Sequence, residues 1–170
     1  MNQCGAHGEA EFICQDGYQY HGQWHNGSQC GYGEEVLPEG GKYWGNFENG
    51  LRSGNGQADW ADGSVFKGDW RKGSPNGKGE LSWPDGRRYV GAFESGEIHG
   101  HGVHTWTNGQ RYEGDYTAGK KCGRGRFTAK DGQVYDGMWM DGKQHGEGQL
   151  WNADGSLLHD GRWVAGKRAK

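Results

Sequence analysis

Apolar and polar residues alternate along this chain in a pattern that returns every 23 residues. An aromatic ring stands at Tyr20, Tyr43, Phe66, Tyr89, Tyr112 and Tyr135. Glycine follows two residues on, at Gly22, Gly45, Gly68, Gly91, Gly114 and Gly137. A second aromatic comes two further, at Trp24, Phe47, Trp70, Phe93, Tyr116 and Trp139. In an extended chain, ring, glycine and ring share one side and polar residues the other, which predicts a half-buried strand. With the first ring counted as place 1, glycine also fills places 8, 12, 14 and 21. The last of these is preceded by Glu39, Asp62, Asp85, Asn108, Asp131 or Asp154. A turn follows the first strand, as in His25-Asn26-Gly27, and a second strand is predicted over places 13 to 18, as in residues 78–83. Pro84-Asp85-Gly86 then marks a second turn, because proline presets φ and glycine accepts positive φ.

Each period is therefore a β-hairpin, and the predicted fold class is all-β. Tandem 23-residue hairpins join into a single-layer, elongated antiparallel sheet, a twisted and curved ribbon. A fixed period of this length denotes an array of like units, here one domain over residues 1–170. Six full repeats start at 20, 43, 66, 89, 112 and 135. Residues 1–19 read as a partial N-terminal repeat with Gly8, Asp16 and Gly17 in register. Residues 158–170 read as a degenerate C-terminal repeat or cap, where Gly161 and Trp163 echo the motif, His159 replaces the leading ring and one residue is inserted near Asp160. No segment shows a helical period, and glycine at this density disfavours helix. Strand spacing makes each hairpin advance the sheet by about 10 Å. The glycines at places 3 and 14 are expected to let rings from adjacent strands lie flat over the backbone. Trp60, Trp83 and Trp106 share one place and are expected to line up as a ladder. Aromatic residues make up 13% of the chain, which suits a core of packed rings rather than of Leu and Ile.

The pattern Tyr-x-Gly-x-Trp-x-x-Gly-x-x-x-Gly-x-Gly, closed by Asp-Gly late in the period, resembles the MORN (membrane occupation and recognition nexus) repeat over residues 20–157. Place 11, often histidine in that family, reads Cys30, Ser53, Asn76, His99, Cys122 and His145. It is read here as part of a turn, where such variation is tolerated. The resemblance implies a scaffold of the kind found in cytoskeletal, ciliary and junctional assemblies.

Charge and chemistry narrow the function. The net charge is −3, yet residues 1–70 hold 3 Lys/Arg and 10 Asp/Glu while residues 71–170 hold 16 and 12. Opposite charge on the two halves favours association between copies, and a homodimer through the sheet ends is one expectation. Met1-Asn2-Gln3-Cys4 lacks the basic start and apolar stretch of a signal peptide. No transmembrane run and no lipidation motif is read. Cys4, Cys14, Cys30 and Cys122 lack metal-type spacing, and reduced thiols in a cytoplasmic protein are expected. Copies of one place in consecutive repeats stand about 10 Å apart, too far for His99, Cys122 and His145 to share a metal whose ligands lie at about 2.0–2.3 Å. Gly77-Lys78-Gly79 is not followed by a helix that could offer its N-terminus to phosphate. No nucleophile is paired with a base, so no catalytic residues, no metal and no cofactor are expected.

The expected function is thus a non-catalytic scaffold that binds an extended or amphipathic helical segment of a protein partner. Aromatic residues are favoured anchors in such contacts, and the candidates are Tyr43, Trp70, Tyr89, Phe93, Tyr112 and Trp139. The alternative is a peripheral module for anionic phospholipid head groups, cytoskeleton- or membrane-associated. Its candidates are Lys120, Lys121, Arg124 and Arg126, with Lys130 and the earlier pair Arg87 and Arg88, since membrane attraction needs clustered cations. Nucleic acid is not an expected partner, because no continuous basic stripe exists.

Overall fold

The computed structural model describes residues 8–169. Cys4, the start of the partial N-terminal repeat and Lys170 lie outside the described residues. Among the described residues every regular element is a strand. The chain divides into two compact units between Pro84 and Asp85. The first contains β1 (Gly8–Ile13), β2 (Gln19–His25), β3 (Ser28–Val36), β4 (Lys42–Glu48), β5 (Leu51–Asp59), β6 (Val65–Arg71) and β7 (Ser74–Ser82). The second contains β8 (Arg88–Glu94), β9 (Glu97–Thr105), β10 (Arg111–Thr117), β11 (Lys120–Thr128), β12 (Val134–Met140), β13 (Lys143–Trp151), β14 (Leu157–Val164) and β15 (Lys167–Arg168). Within each unit every strand pairs antiparallel with the next in the chain.

Two tight turns shape each repeat. At places 7 and 8 the chain reverses within two residues, both with positive φ, as at Asn26 (49°) and Gly27 (75°). This is the primed hairpin turn whose twist matches its strands. It recurs at Lys72, Ser95 and Ala118, residue types that do not announce it. At the other end, the residue at place 20 holds the chain through its side chain. Asp62 Oδ1 accepts the Ser64 N–H at 2.8 Å and Asp154 Oδ1 accepts that of Ser156 at 2.8 Å. The Ser64 and Ser156 hydroxyls donate to the same oxygens, and these bonds, with the N–H bonds after them, keep both carboxyls below the usual carboxylate range.

The second strand begins earlier than the sequence pattern suggests. The reversal is complete at place 8, so β3 starts at Ser28 and β11 at Lys120. Place 11 therefore lies inside a strand, not in a turn: Cys30, Ser53, Asn76, His99, Cys122 and His145 all fall within strands. The glycine at place 12 serves a bulge instead. Gly22 pairs with Gly33, but Gln23 pairs with Cys30, which leaves Gly31 and Tyr32 out of the β2–β3 ladder. Gly31 takes a φ of 57° there, as bulges commonly demand. The C-terminal insertion is absorbed in the same way. Leu150 faces His159 and Trp151 faces Leu157, so Leu158 is the extra residue.

One side of each unit carries the core. Tyr20, Tyr43, Tyr89 and Tyr112 are completely buried, and each ring lies flat over two glycines. A Cβ added at Gly33 would sit 2.4 Å from the Tyr20 hydroxyl oxygen, and one at Gly56 would sit 2.3 Å from that of Tyr43. Only a missing side chain leaves room for the ring. The hydroxyl then donates to the carbonyl three residues on, as Tyr43 does to Asn46 (3.0 Å) and Tyr112 to Asp115 (3.1 Å). Rings at place 5 meet the tyrosines edge-on. Tyr20–Phe47 and Tyr43–Trp70 are 5.0 Å apart in the first unit, and Tyr112–Trp139 and Tyr135–Trp163 are 5.2 and 5.1 Å apart in the second. Edge-to-face pairs of this kind add about 0.5–1.5 kcal/mol each beyond buried area.

Tryptophan at place 5 also satisfies its own N–H. Trp70 donates to the Gly56 carbonyl at 3.2 Å and Trp139 to that of Gly125 at 2.9 Å. Tyr116 occupies the same place, but its buried hydroxyl has no hydrogen-bond partner among the described residues. A buried hydroxyl without a partner costs about 1–3 kcal/mol. Tyr116→Phe should therefore raise stability by about 1 kcal/mol in urea denaturation, where a surface tyrosine would show no gain.

Candidate partner-binding surface

The six rings expected to meet a partner lie beneath the surface. Tyr43, Tyr89 and Tyr112 have no exposed area, and Trp70, Phe93 and Trp139 keep 4%, 5% and 8%. Their flat seating over glycine makes them the floor of the aromatic side. What stands higher is a rim of half-buried apolar groups at places 10, 16 and 18. In the first unit these include Leu37, Trp60 and Leu81; in the second, Ile98, Trp106, Phe127 and Leu150. Trp60 leans on Phe66 at 6.4 Å, and Trp106 stacks on His104 at 4.1 Å with the planes 2° apart. Trp60 thus rests on the repeat that follows it and Trp106 on the strand it follows.

Place 10 also brings cations onto the aromatic floor. Arg52 lies over Tyr43 and Trp70, 4.8 and 5.3 Å from their centroids. Its guanidinium donates to Glu35, whose other oxygen accepts the Tyr18 hydroxyl at 3.0 Å. Lys121 sits within a cage of four rings: Tyr112 (4.7 Å), Phe127 (4.8 Å), Trp139 (4.9 Å) and Trp106 (5.1 Å). Burial holds its amine down to about 8. Arg168 lies 5.9 Å over Trp163. Sequence reading names Lys121 only as a candidate for lipid and passes over Arg52 and Arg168, because place 10 looks variable. The signal was present: a basic residue recurs there, at Arg52 and again three periods later at Lys121.

The cations proposed for lipid do not form one patch. Lys121 points into the aromatic side. Arg124 and Arg126 flank Gly125 in β11 and emerge on the opposite side. Lys120 lies 3.7 Å from Asp141, and Arg124 lies 3.6 Å from Asp136. Lys130 is exposed within the turn that follows β11, Arg88 is exposed at the start of β8, and Arg87 is bonded to Asp85 at 2.7 Å. An open depression of about 380 Å³ beside Arg124 is lined by Asp136, Glu147 and Asp160, so acid outweighs base there.

Histidines and thiols occupy separate settings. His99 pairs with Glu94 at 3.4 Å and His101 with Asp115 at 3.1 Å. His104 is buried, and burial, together with the charges of Arg87 and Lys121, lowers its pKa to about 4. Cys14, Cys30 and Cys122 are half-buried free thiols. Among the described residues no three His, Cys, Asp or Glu side chains converge closely enough to hold a metal, and no helix is long and apolar enough to cross a membrane.

The repeat geometry matches a known family model. MORN repeat units align with residues 20–42, 43–65, 66–87, 89–111, 112–134 and 135–157. The chain belongs to the MORN repeat family. At low sequence identity this MORN array is also similar in fold to a solved domain. The TCP domain of Drosophila melanogaster SAS-4 (dCPAP), solved with a proline-rich motif of Ana2 (dSTIL), is 10% identical, with 88% of this chain and 75% of that chain aligned and a TM-score of 0.50. The TCP10 domain of Danio rerio CPAP is 14% identical, with 91% and 73% aligned and a TM-score of 0.36. No curated protein sequence matches the MORN chain.

Proposed function

We propose that this MORN array is a non-catalytic scaffold that docks an extended segment of a protein partner across its aromatic side. The observation that carries this reading is the rim of half-buried groups raised over a rigid floor of buried rings. A rigid aromatic surface loses little entropy on binding, and repeat sheets suit extended partners. The SAS-4 domain in complex with a proline-rich motif supports the idea that an open sheet of this type can hold an extended peptide. A cytoskeletal or ciliary assembly is the setting this scaffold would serve. The lipid reading gains no such support, since its cations split between two sides and several face acids.

Trp106→Ala and Phe127→Ala test the proposal, with Val90→Ala on the opposite side as control. Each rim change should weaken capture of a copurified partner by about tenfold, as for an interface anchor worth more than 1 kcal/mol. Val90→Ala should leave capture intact. Equal capture by all three folded variants would reject the aromatic side as the docking surface.

A further inference from the structure

The repeat supplies its own comparison of two related sites. Arg52 and Lys121 both stand at place 10, three periods apart, and both lie over the place-1 tyrosine and the following place-5 tryptophan. Arg52 has a carboxylate beside it, because place 16 of the preceding repeat is Glu35. Three periods on, that position holds His104. Lys121 makes no ion pair with an acid among the described residues. Instead the site has two rings that its relative lacks. Phe127 stands where the first unit has Ala58, and Trp106 where it has Leu37. The rings attract the ammonium but leave its donors without a carboxylate, and a desolvated cation gains strongly from a hydrogen-bonded anion.

The geometry points to Lys121 as the anchor for the carboxylate of an aspartate or glutamate side chain carried by the docked protein segment, with Trp106 and Phe127 beneath the neighbouring apolar residue. This inference rests on the proposed docking of an extended segment and names its chemistry. The occupant is argued from charge: the partner supplies at this site what Glu35 supplies to Arg52. The rings hold the ammonium in place and keep water from its flanks, so the ion pair forms in a partly dry setting.

Selection of random peptides displayed on phage, with the full chain as bait, tests the inference. Wild-type protein should enrich peptides with an acidic residue at one fixed position. Changing that residue to its amide should weaken binding at least about tenfold, the scale of one charge-assisted hydrogen bond. Lys121→Met should abolish the acid preference and Lys121→Arg should keep it. His104→Glu should also abolish it, by placing a carboxylate beside Lys121 within the chain. Peptides enriched without acid preference, or a preference that survives Lys121→Met, would overturn the inference and leave segment docking standing. Enrichment of no peptide by the folded wild type would overturn both.

Discussion

Gly102→Ala should cost about 3 kcal/mol or more, the upper end for overfilling a packed core. The added Cβ would lie 2.2 Å from the Tyr89 hydroxyl oxygen and 2.4 Å from the ring carbon that bears it. Tyr89 has no exposed area. It is held between Phe93 at 5.3 Å and Tyr116 at 5.5 Å, so the ring has nowhere to retreat. Moving it would break its bond to the Ala92 carbonyl and open both edge-to-face contacts. Removing the hydroxyl alone with Tyr89→Phe should not rescue the variant, because the clash with the ring carbon remains. Val90→Ala, one residue away on the exposed side, should change stability by no more than about 0.5 kcal/mol. Urea denaturation of the four proteins measures all of this. A loss below about 1 kcal/mol for Gly102→Ala would mean that the rings do not depend on the glycines.

Alkaline unfolding should be steep, and tyrosine should cause it. Burial pushes Tyr20, Tyr89 and Tyr135 up to about 12, and it pushes Tyr43, Tyr112 and Tyr116 further in the same direction. In the unfolded chain a phenol titrates near 10. Below that pH the hydroxyl is neutral in both states and its contribution is present in full. As pH rises through 10, the unfolded chain releases protons that the folded chain retains, so stability falls. Lys121 acts in the opposite sense, since its amine is held down to about 8 and loses its charge more readily in the folded state. One amine does not offset six phenols. Apart from the share of exposed Tyr32, tyrosinate absorbance and loss of strand signal should therefore rise together, above pH 10 and with one midpoint. Ionisation of the six buried tyrosines near pH 10 with the strand signal intact would contradict the buried placement of these rings.

The hairpin array was legible because its constraints repeat. A ring at place 1 needs glycine at places 3 and 14 in every unit, and Tyr43 with Gly45 and Gly56 shows why. What sequence reading missed has two physical origins. The primed turn at places 7 and 8 accepts Lys72 or Ala118 at positive φ, so its residues gave weak notice that the strand resumes at place 9. Place 11 was assigned to a turn for that reason. The second origin is that periodicity identifies a face without saying how deep its side chains lie. Tyr89 and Trp106 both belong to the aromatic side, yet the first is floor and the second is rim. The seating of Arg52 and Lys121 over the rings was hidden because attention falls on places that never vary, and Lys121 was read only as a lipid candidate.

The most direct test of the central claim is a map of side-chain resonances as the full chain binds a selected or native partner segment. The indole signals of Trp60 or Trp106 and the ring signals of Phe127 should shift, while the side-chain signals of Lys67 and Arg126 on the opposite side stay in place. Shifts confined to that opposite side would contradict the assignment of the aromatic side as the binding surface.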